Sequence, residues 1–198
     1  MSGGLRDHLL VLGRFLRSPR QTGTIAPSSR ALAREMVKHL DLGHATNVVE
    51  LGPGTGAFTE AIVSNLGAKA RLLVVEIEPD FAAEIRRRFP AIDCVCASAA
   101  ELDTLVDARG MRPVDHIISG LPFASLPGAV TREILGAIER SLKPGGTFTT
   151  FQYVHAFRLP PAVAFRKDIN GRLGGEPTKS LVVWNIPPAW VLTWKTRP

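Results

Sequence analysis

The run VVELGPGTGAF, residues 48–58, constrains the fold more than any other stretch of the chain. An apolar, β-branched segment stops at Gly52. Gly54, Gly56 and Ala57 follow, so a ligand can approach the backbone where side chains would otherwise collide, just before a helix begins. Strand, glycine turn and helix in this order satisfy a dinucleotide-type spacing, with Gly52, Gly54 and Ala57 at the required places. Apolar β-rich runs then alternate with helical patterns: NVVEL then 57–66, RLLVVEI then 79–88, DCVCAS, DHIIS then 128–142, and GTFTTFQYV. This alternation predicts βαβ units and an α/β fold with helices on both faces of a mostly parallel sheet of five to seven strands. The strands are continuous in Val, Ile and Leu, as expected when both faces are covered. KSLVVWN and WVLTWKT, separated by residues 186–189 with two prolines, predict a C-terminal antiparallel hairpin at one edge.

The 198 residues fit a single domain spanning 1–198, and no apolar run approaches the ~18 residues a spanning helix needs. Arg14, Arg17 and Arg20 interrupt any leader-like apolar core, so a mature cytoplasmic chain is expected. Cys94 and Cys96 sit two apart on one predicted strand, point to the same face, and read as small buried hydrophobes in a reducing compartment. Charge is segmental. Residues 1–38 and 144–198 each carry seven basic against two acidic side chains, and the middle carries ten against fourteen. Basic ends around an acidic middle predict an anionic partner, nucleic acid or membrane surface. The N-terminal 46 residues predict two helices. In the first, Leu5, Leu9, Leu12 and Leu16 form a stripe with Val11 and Phe15 alongside, opposite Arg6, Arg14 and Arg17; this pattern suits the boundary between headgroups and acyl chains. The second starts near Pro27, Ser28 and Ser29, after a hydroxyl-rich loop expected to fold over a bound cofactor.

Two carboxylates sharpen the glycine turn. Glu50 lies two residues before Gly52, and Glu76 ends the second strand next to Ile77, where an acid can accept both hydroxyls of an unphosphorylated ribose. E-x-G-x-G-x-G followed by a strand-end acid resembles the Rossmann-like class I S-adenosylmethionine (SAM) methyltransferases over residues 48–154, implying a seven-stranded sheet. At the third strand end, where that family often has an acid for the adenine amino group, stand Ser98 and Ala99. After the fourth strand comes SGLPF, placed like the N-L-P-Y or D-P-P-Y turn of methyltransferases acting on base amino groups. Gly120 replaces the polar first residue, so a nucleobase amine would lose an acceptor and the pocket would gain room.

Taken together, TGTIAPSSRALA, VELGPGTGAFT, SGLPF, LKPGGTF, FQYV and NIPPAWV resemble the soluble bacterial phospholipid N-methyltransferases. The resemblance implies stepwise methylation of phosphatidylethanolamine, through mono- and dimethyl intermediates, to phosphatidylcholine, with S-adenosylhomocysteine as by-product. It also implies an N-terminal helix (Arg6, Leu9, Leu12, Arg14, Phe15, Leu16, Arg17) on an anionic membrane, at the inner face of the cell membrane, and no nucleic-acid partner. A quaternary ammonium product has no N–H to donate, so aromatic faces hold it where acceptors cannot. Phe123 and Tyr153 are the strand-end rings expected there, with Gly120 beside the acceptor and His155 as proton acceptor. Arg20, Thr22, Ser28 and Ser29 are expected to meet the phosphate, and Thr24 the cofactor. Two other readings share parts of the pattern: an rRNA adenine N6-dimethyltransferase, and a noncatalytic protein binding SAM and membrane.

Overall fold

The computed structural model describes residues 29–197. The expected amphipathic helix and the loop after it, with Arg6, Leu9, Leu12, Arg14, Phe15, Leu16, Arg17, Arg20, Thr22, Thr24 and Ser28, lie outside them. The described elements are α1 (Arg30–Val37), β1 (Asn47–Leu51), α2 (Ala57–Val63), β2 (Arg71–Glu76), α3 (Pro79–Arg88), β3 (Asp93–Cys96), α4 (Leu102–Ala108), β4 (Val114–Ser119), α5 (Gly128–Ser141), β5 (Leu142–Tyr153), α6 (Pro160–Leu173), β6 (Thr178–Val182) and β7 (Ala189–Lys195). They build one seven-stranded sheet in the order β3-β2-β1-β4-β5-β7-β6. β1 to β5 pair in parallel, and β7 runs antiparallel between β5 and β6. The strand order reverses at β1, with β2 on one side and β4 on the other, so a crevice opens above the carboxyl ends of β1 and β4.

The continuous apolar strands are explained by two cores, one on each face. Val49, Leu51, Val75, Ile117, Phe148 and Trp194 pack under α4, α5 and α6, whereas Val48, Val74, Ile118 and Val191 pack under α1, α2 and α3. Alternation along each strand sends neighbouring side chains to opposite faces. Both cysteines are free thiols; Cys94 is buried as expected, but Cys96, at the end of the edge strand β3, is exposed and not part of the core.

Two helices were not expected from the sequence. α4 follows a capping box in which Ser98 and Glu101 satisfy each other's backbone donors, a start signal hidden in CASAAEL, which reads as a strand end. α6 buries only Ala162, Phe165, Ile169 and Leu173, a narrow stripe diluted by charged residues. Among the described residues no helix is long and apolar enough to cross a membrane.

Candidate active site

The glycine turn after β1 is held between its neighbours. Gly52 N donates to Val75 O at 2.9 Å, and Gly120 N donates to Leu51 O at 2.8 Å, so the turns after β1 and β4 are stitched side by side. Gly52, Gly54 and Gly56 all have positive φ, a conformation that excludes other residues without strain. A Cβ on Gly54 would meet nothing within 4 Å, so this part of the turn faces open space. A side chain on Gly56 would collide with Ile85 and Arg88 of α3.

Glu50 is fully buried on the face covered by α2, and neither carboxylate oxygen has a hydrogen-bond partner among the described residues. Burial pushes its carboxyl up to about 8; the hydroxyl and N–H of Thr59, aimed at the carboxylate but short of full hydrogen-bond geometry, oppose the shift, and the charge of Glu76 adds to it. Two orphaned acceptors beneath an open glycine turn fit a cationic donor such as the ammonium of SAM. Thr59 carries no sequence signal that would have singled it out.

Glu76 sits 22 residues after Gly54 and closes over the same turn. Its carboxylate accepts from Gly54 N at 3.2 Å and from Glu78 N at 3.0 Å. Burial raises its pKa, and the backbone donors of Glu78, Gly54 and Ile77 pull it partly back. Each oxygen keeps a lone pair for a ribose hydroxyl. Glu76→Ala is expected to weaken SAM binding by about 1.5 to 3 kcal/mol in calorimetry; unaltered affinity would remove this assignment. Ile77 is half-buried against the α4 side of the core, and its carbonyl accepts from the Cys96 thiol at 3.7 Å. The Ser98 hydroxyl is occupied in accepting from Ala100 N at 3.2 Å, and Ala99 is buried in the same core. Capping uses the hydroxyl only as an acceptor, so its O–H and the neighbouring backbone groups are both left for an adenine contact there.

Two expected features are corrected. A Cβ on Gly120 would lie 2.4 Å from Gly52 O and 3.5 Å from the Phe58 ring. The missing side chain therefore makes no extra room for a substrate; it permits two turns to touch. Phe123 is equally different from expectation. Its ring is buried, stacked on Phe165 at 4.5 Å and edge-on to Phe148 at 6.1 Å, so its faces are committed to the core beneath α6.

The rings that do line the other face were legible only in part. Phe58, at the start of α2, meets Phe151 edge-on at 5.8 Å; Phe151 meets Tyr153 at 5.4 Å; and Tyr153 stacks on His155 at 5.6 Å. Residues 151 and 153 share a strand face with the α1 to α3 core, the face that also carries Glu50 and Glu76. Tyr153 is half-buried, and burial raises its pKa; His155 is exposed. Ser29 caps α1, its hydroxyl accepting from Leu32 N at 3.1 Å, while its own N–H donates to Asn185 Oδ1 at 3.0 Å.

Comparison with known proteins agrees with this geometry. A family described as methyltransferase domains matches residues 48–146. The ornithine lipid N-methyltransferase of Singulisphaera acidiphila is 35% identical over 147 residues, covering 73% of this chain and 77% of that protein. The ribosomal RNA small subunit methyltransferase A of Acidobacterium capsulatum is 34% identical over 123 residues, covering 58% of this chain and 41% of that protein. Among solved structures, the N-methyltransferase NodS from Bradyrhizobium japonicum superposes with a TM-score of 0.67 at 17% identity, covering 85% of this chain and 96% of that one. The 1,6-didemethyltoxoflavin-N1-methyltransferase of Burkholderia thailandensis, which holds S-adenosylhomocysteine, does so with a TM-score of 0.70 at 16% identity, covering 100% of this chain and 92% of that one. With the glycine turn, the orphaned Glu50, the strand-end Glu76 and a matching family over half its length, the chain belongs to the class I SAM-dependent methyltransferases.

Proposed function

We propose that the chain N-methylates phosphatidylethanolamine, through the mono- and dimethyl intermediates, to phosphatidylcholine at a membrane surface. The observation that carries this reading is the aromatic series Phe58, Phe151 and half-buried Tyr153 at the strand-end rim, continued by the stacked ring of His155. A tyrosine face attracts a methylated ammonium at every stage, including the last, when no N–H remains. The relation to a lipid N-methyltransferase supports a lipid amine as acceptor. Bound SAM would supply a sulfonium methyl: the amine lone pair would attack its carbon, forming the C–N bond as the C–S bond breaks, and S-adenosylhomocysteine would leave. Positioning of the amine by the chain supplies much of the rate. Each transfer needs a free lone pair on the nitrogen, so the exposed His155 takes one proton from the ammonium before each of the three transfers and passes it to water. Arg20, Thr22, Ser28 and Ser29 are assigned to the substrate phosphate, Thr24 to the cofactor, and the arginine and leucine pattern of residues 5–17 to an anionic membrane.

The rRNA-like reading loses ground at Gly120, where the packed turn leaves no place for a polar side chain. A second lipid reading, methylation of an ornithine lipid amine, is favoured by the 35% identical relative. Purified protein with methyl-labelled SAM should label phosphatidylethanolamine vesicles in preference to ornithine lipid vesicles and to unmodified rRNA. Label in rRNA alone would end the lipid reading; label in ornithine lipid alone would move the acceptor. Cofactor binding without any transfer would make the chain a noncatalytic binder. Tyr153→Phe should retain most activity, because the ring face remains, and Tyr153→Ala should lose roughly tenfold or more in kcat/KM for the dimethyl intermediate. Equal losses in the two variants would assign the role to the hydroxyl instead.

A further inference from the structure

The turn between β6 and β7 exposes its largest side chains. Trp184 is 83% and Ile186 81% exposed, with Val183 at 55%, while Asn185 between them is 3% exposed. The arrangement is held from within. Asn185 Nδ2 donates to Pro187 O at 2.7 Å, and its Oδ1 accepts from Ser29 N. Asn185 is thereby fixed inward, and its two neighbours stand outward. Their apolar area is a built feature of the turn and has no cover among the described residues.

The turn also lies at the catalytic rim. β7 begins with Ala189 opposite Tyr153, and Val154 N donates to Pro188 O at 2.9 Å. Val154 adds a further 42% exposed apolar side chain beside the turn. Arg30, next to the residue bonded to Asn185, and Arg158, beyond Val154, are exposed and make no ion pair among the described residues. Tryptophan with aliphatic neighbours and unpaired arginines is the chemistry of a bilayer interface, where an amphipathic ring sits among headgroups and cations meet lipid phosphates.

We propose that the β6–β7 turn docks the protein on a phospholipid bilayer, inserting Trp184 and Ile186 between headgroups so that the Tyr153 rim faces the lipid layer. This rests on the lipid-acceptor reading above and adds a second, C-terminal attachment separate from residues 5–17. The test uses the full chain, wild type and the double variant Trp184→Ser/Ile186→Ser, with vesicles of phosphatidylethanolamine and phosphatidylglycerol. Vesicle affinity should fall roughly tenfold or more, the scale for withdrawing two large apolar side chains from an interface. Methylation of a short-chain phosphatidylethanolamine dissolved as monomers should stay unchanged, which separates docking from misfolding. Lipids brominated on their acyl chains should quench wild-type tryptophan emission, and Trp184→Phe should abolish the quenching.

Unchanged vesicle affinity in the double variant overturns the proposal. So does bound protein whose Trp184 stays unquenched, a result that would place residues 1–28 or another protein over the turn. If the wild type methylates no lipid but is quenched by the vesicles, the acceptor reading fails and the docking surface stands.

Discussion

Glu50→Gln should make the cofactor-free protein more stable and the cofactor bind far less well. The wild-type carboxylate is fully buried with both oxygens unpartnered, and its pKa rises from 4.5 to about 8. The native state therefore keeps the proton that the unfolded chain has already released. Stability from this group is fully present below pH 4.5, declines as the pH rises through the window to about 8, and is flat above it. At pH 8 glutamine removes the charge, and the melting temperature should rise by roughly 4 to 8 °C, corresponding to about 2 kcal/mol in a chain of this size. The same change removes the partner proposed for the ammonium of SAM. SAM affinity should drop by a hundredfold or more, about 3 kcal/mol, the scale for breaking a buried ion pair. Wild-type affinity should itself increase between pH 6 and about 8, because binding expels the Glu50 proton. Calorimetry in two buffers of different ionisation enthalpy would detect that proton. A variant with unaltered affinity and an unmoved melting curve would show that Glu50 has a partner the structure does not give it.

Gly120→Ala should damage the fold where the turns after β1 and β4 meet. The new methyl group would lie 2.4 Å from Gly52 O, a backbone atom in a turn fixed by Gly52 N to Val75 O and Gly120 N to Leu51 O. Neither turn can yield without breaking a sheet-end hydrogen bond, so the cost should be about 2 to 4 kcal/mol, or a melting temperature lower by roughly 5 to 15 °C. On the proposed placing of SAM over the turn that Gly52 begins, its affinity should fall as well. Gly43→Ala is the matched control. Nothing lies within 4 Å of its would-be Cβ, and its φ is not positive, so the change should be neutral or slightly stabilising. Equal melting temperatures for the two variants would mean that the turns after β1 and β4 are not in contact in solution.

Much of the framework was readable because it depends on local patterns. NVVEL, RLLVVEI and DHIIS each become strands whose alternate residues enter opposite cores, and Gly52, Gly54 and Gly56 form the turn between strand and helix, with positive φ at all three. The KSLVVWN and WVLTWKT pair forms the expected hairpin, with β7 set between β5 and β6. What escaped depends on non-local contact. Whether a strand-end ring faces solvent or core is decided by the helix above it, and α6, itself unforeseen, supplies the Phe165 that covers Phe123. Gly120 looked like added space because a sequence does not show that Gly52 O occupies the place of its side chain. The ring series was half visible: Tyr153 and His155 stood out at a strand end, but Phe58 and Phe151 join them only through packing of α2 against β5.

The central claim is that this methyltransferase modifies a lipid amine. The most direct measurement is a mass spectrum of total lipids from a host that makes phosphatidylethanolamine but no phosphatidylcholine, with and without expression of the chain. The account predicts new phosphatidylethanolamine derivatives heavier by one, two and three methylene units, all strongly reduced when Glu50→Gln is expressed and the trimethyl species most reduced when Tyr153→Ala is expressed. An unchanged lipid spectrum alongside newly dimethylated adenine in rRNA would contradict it.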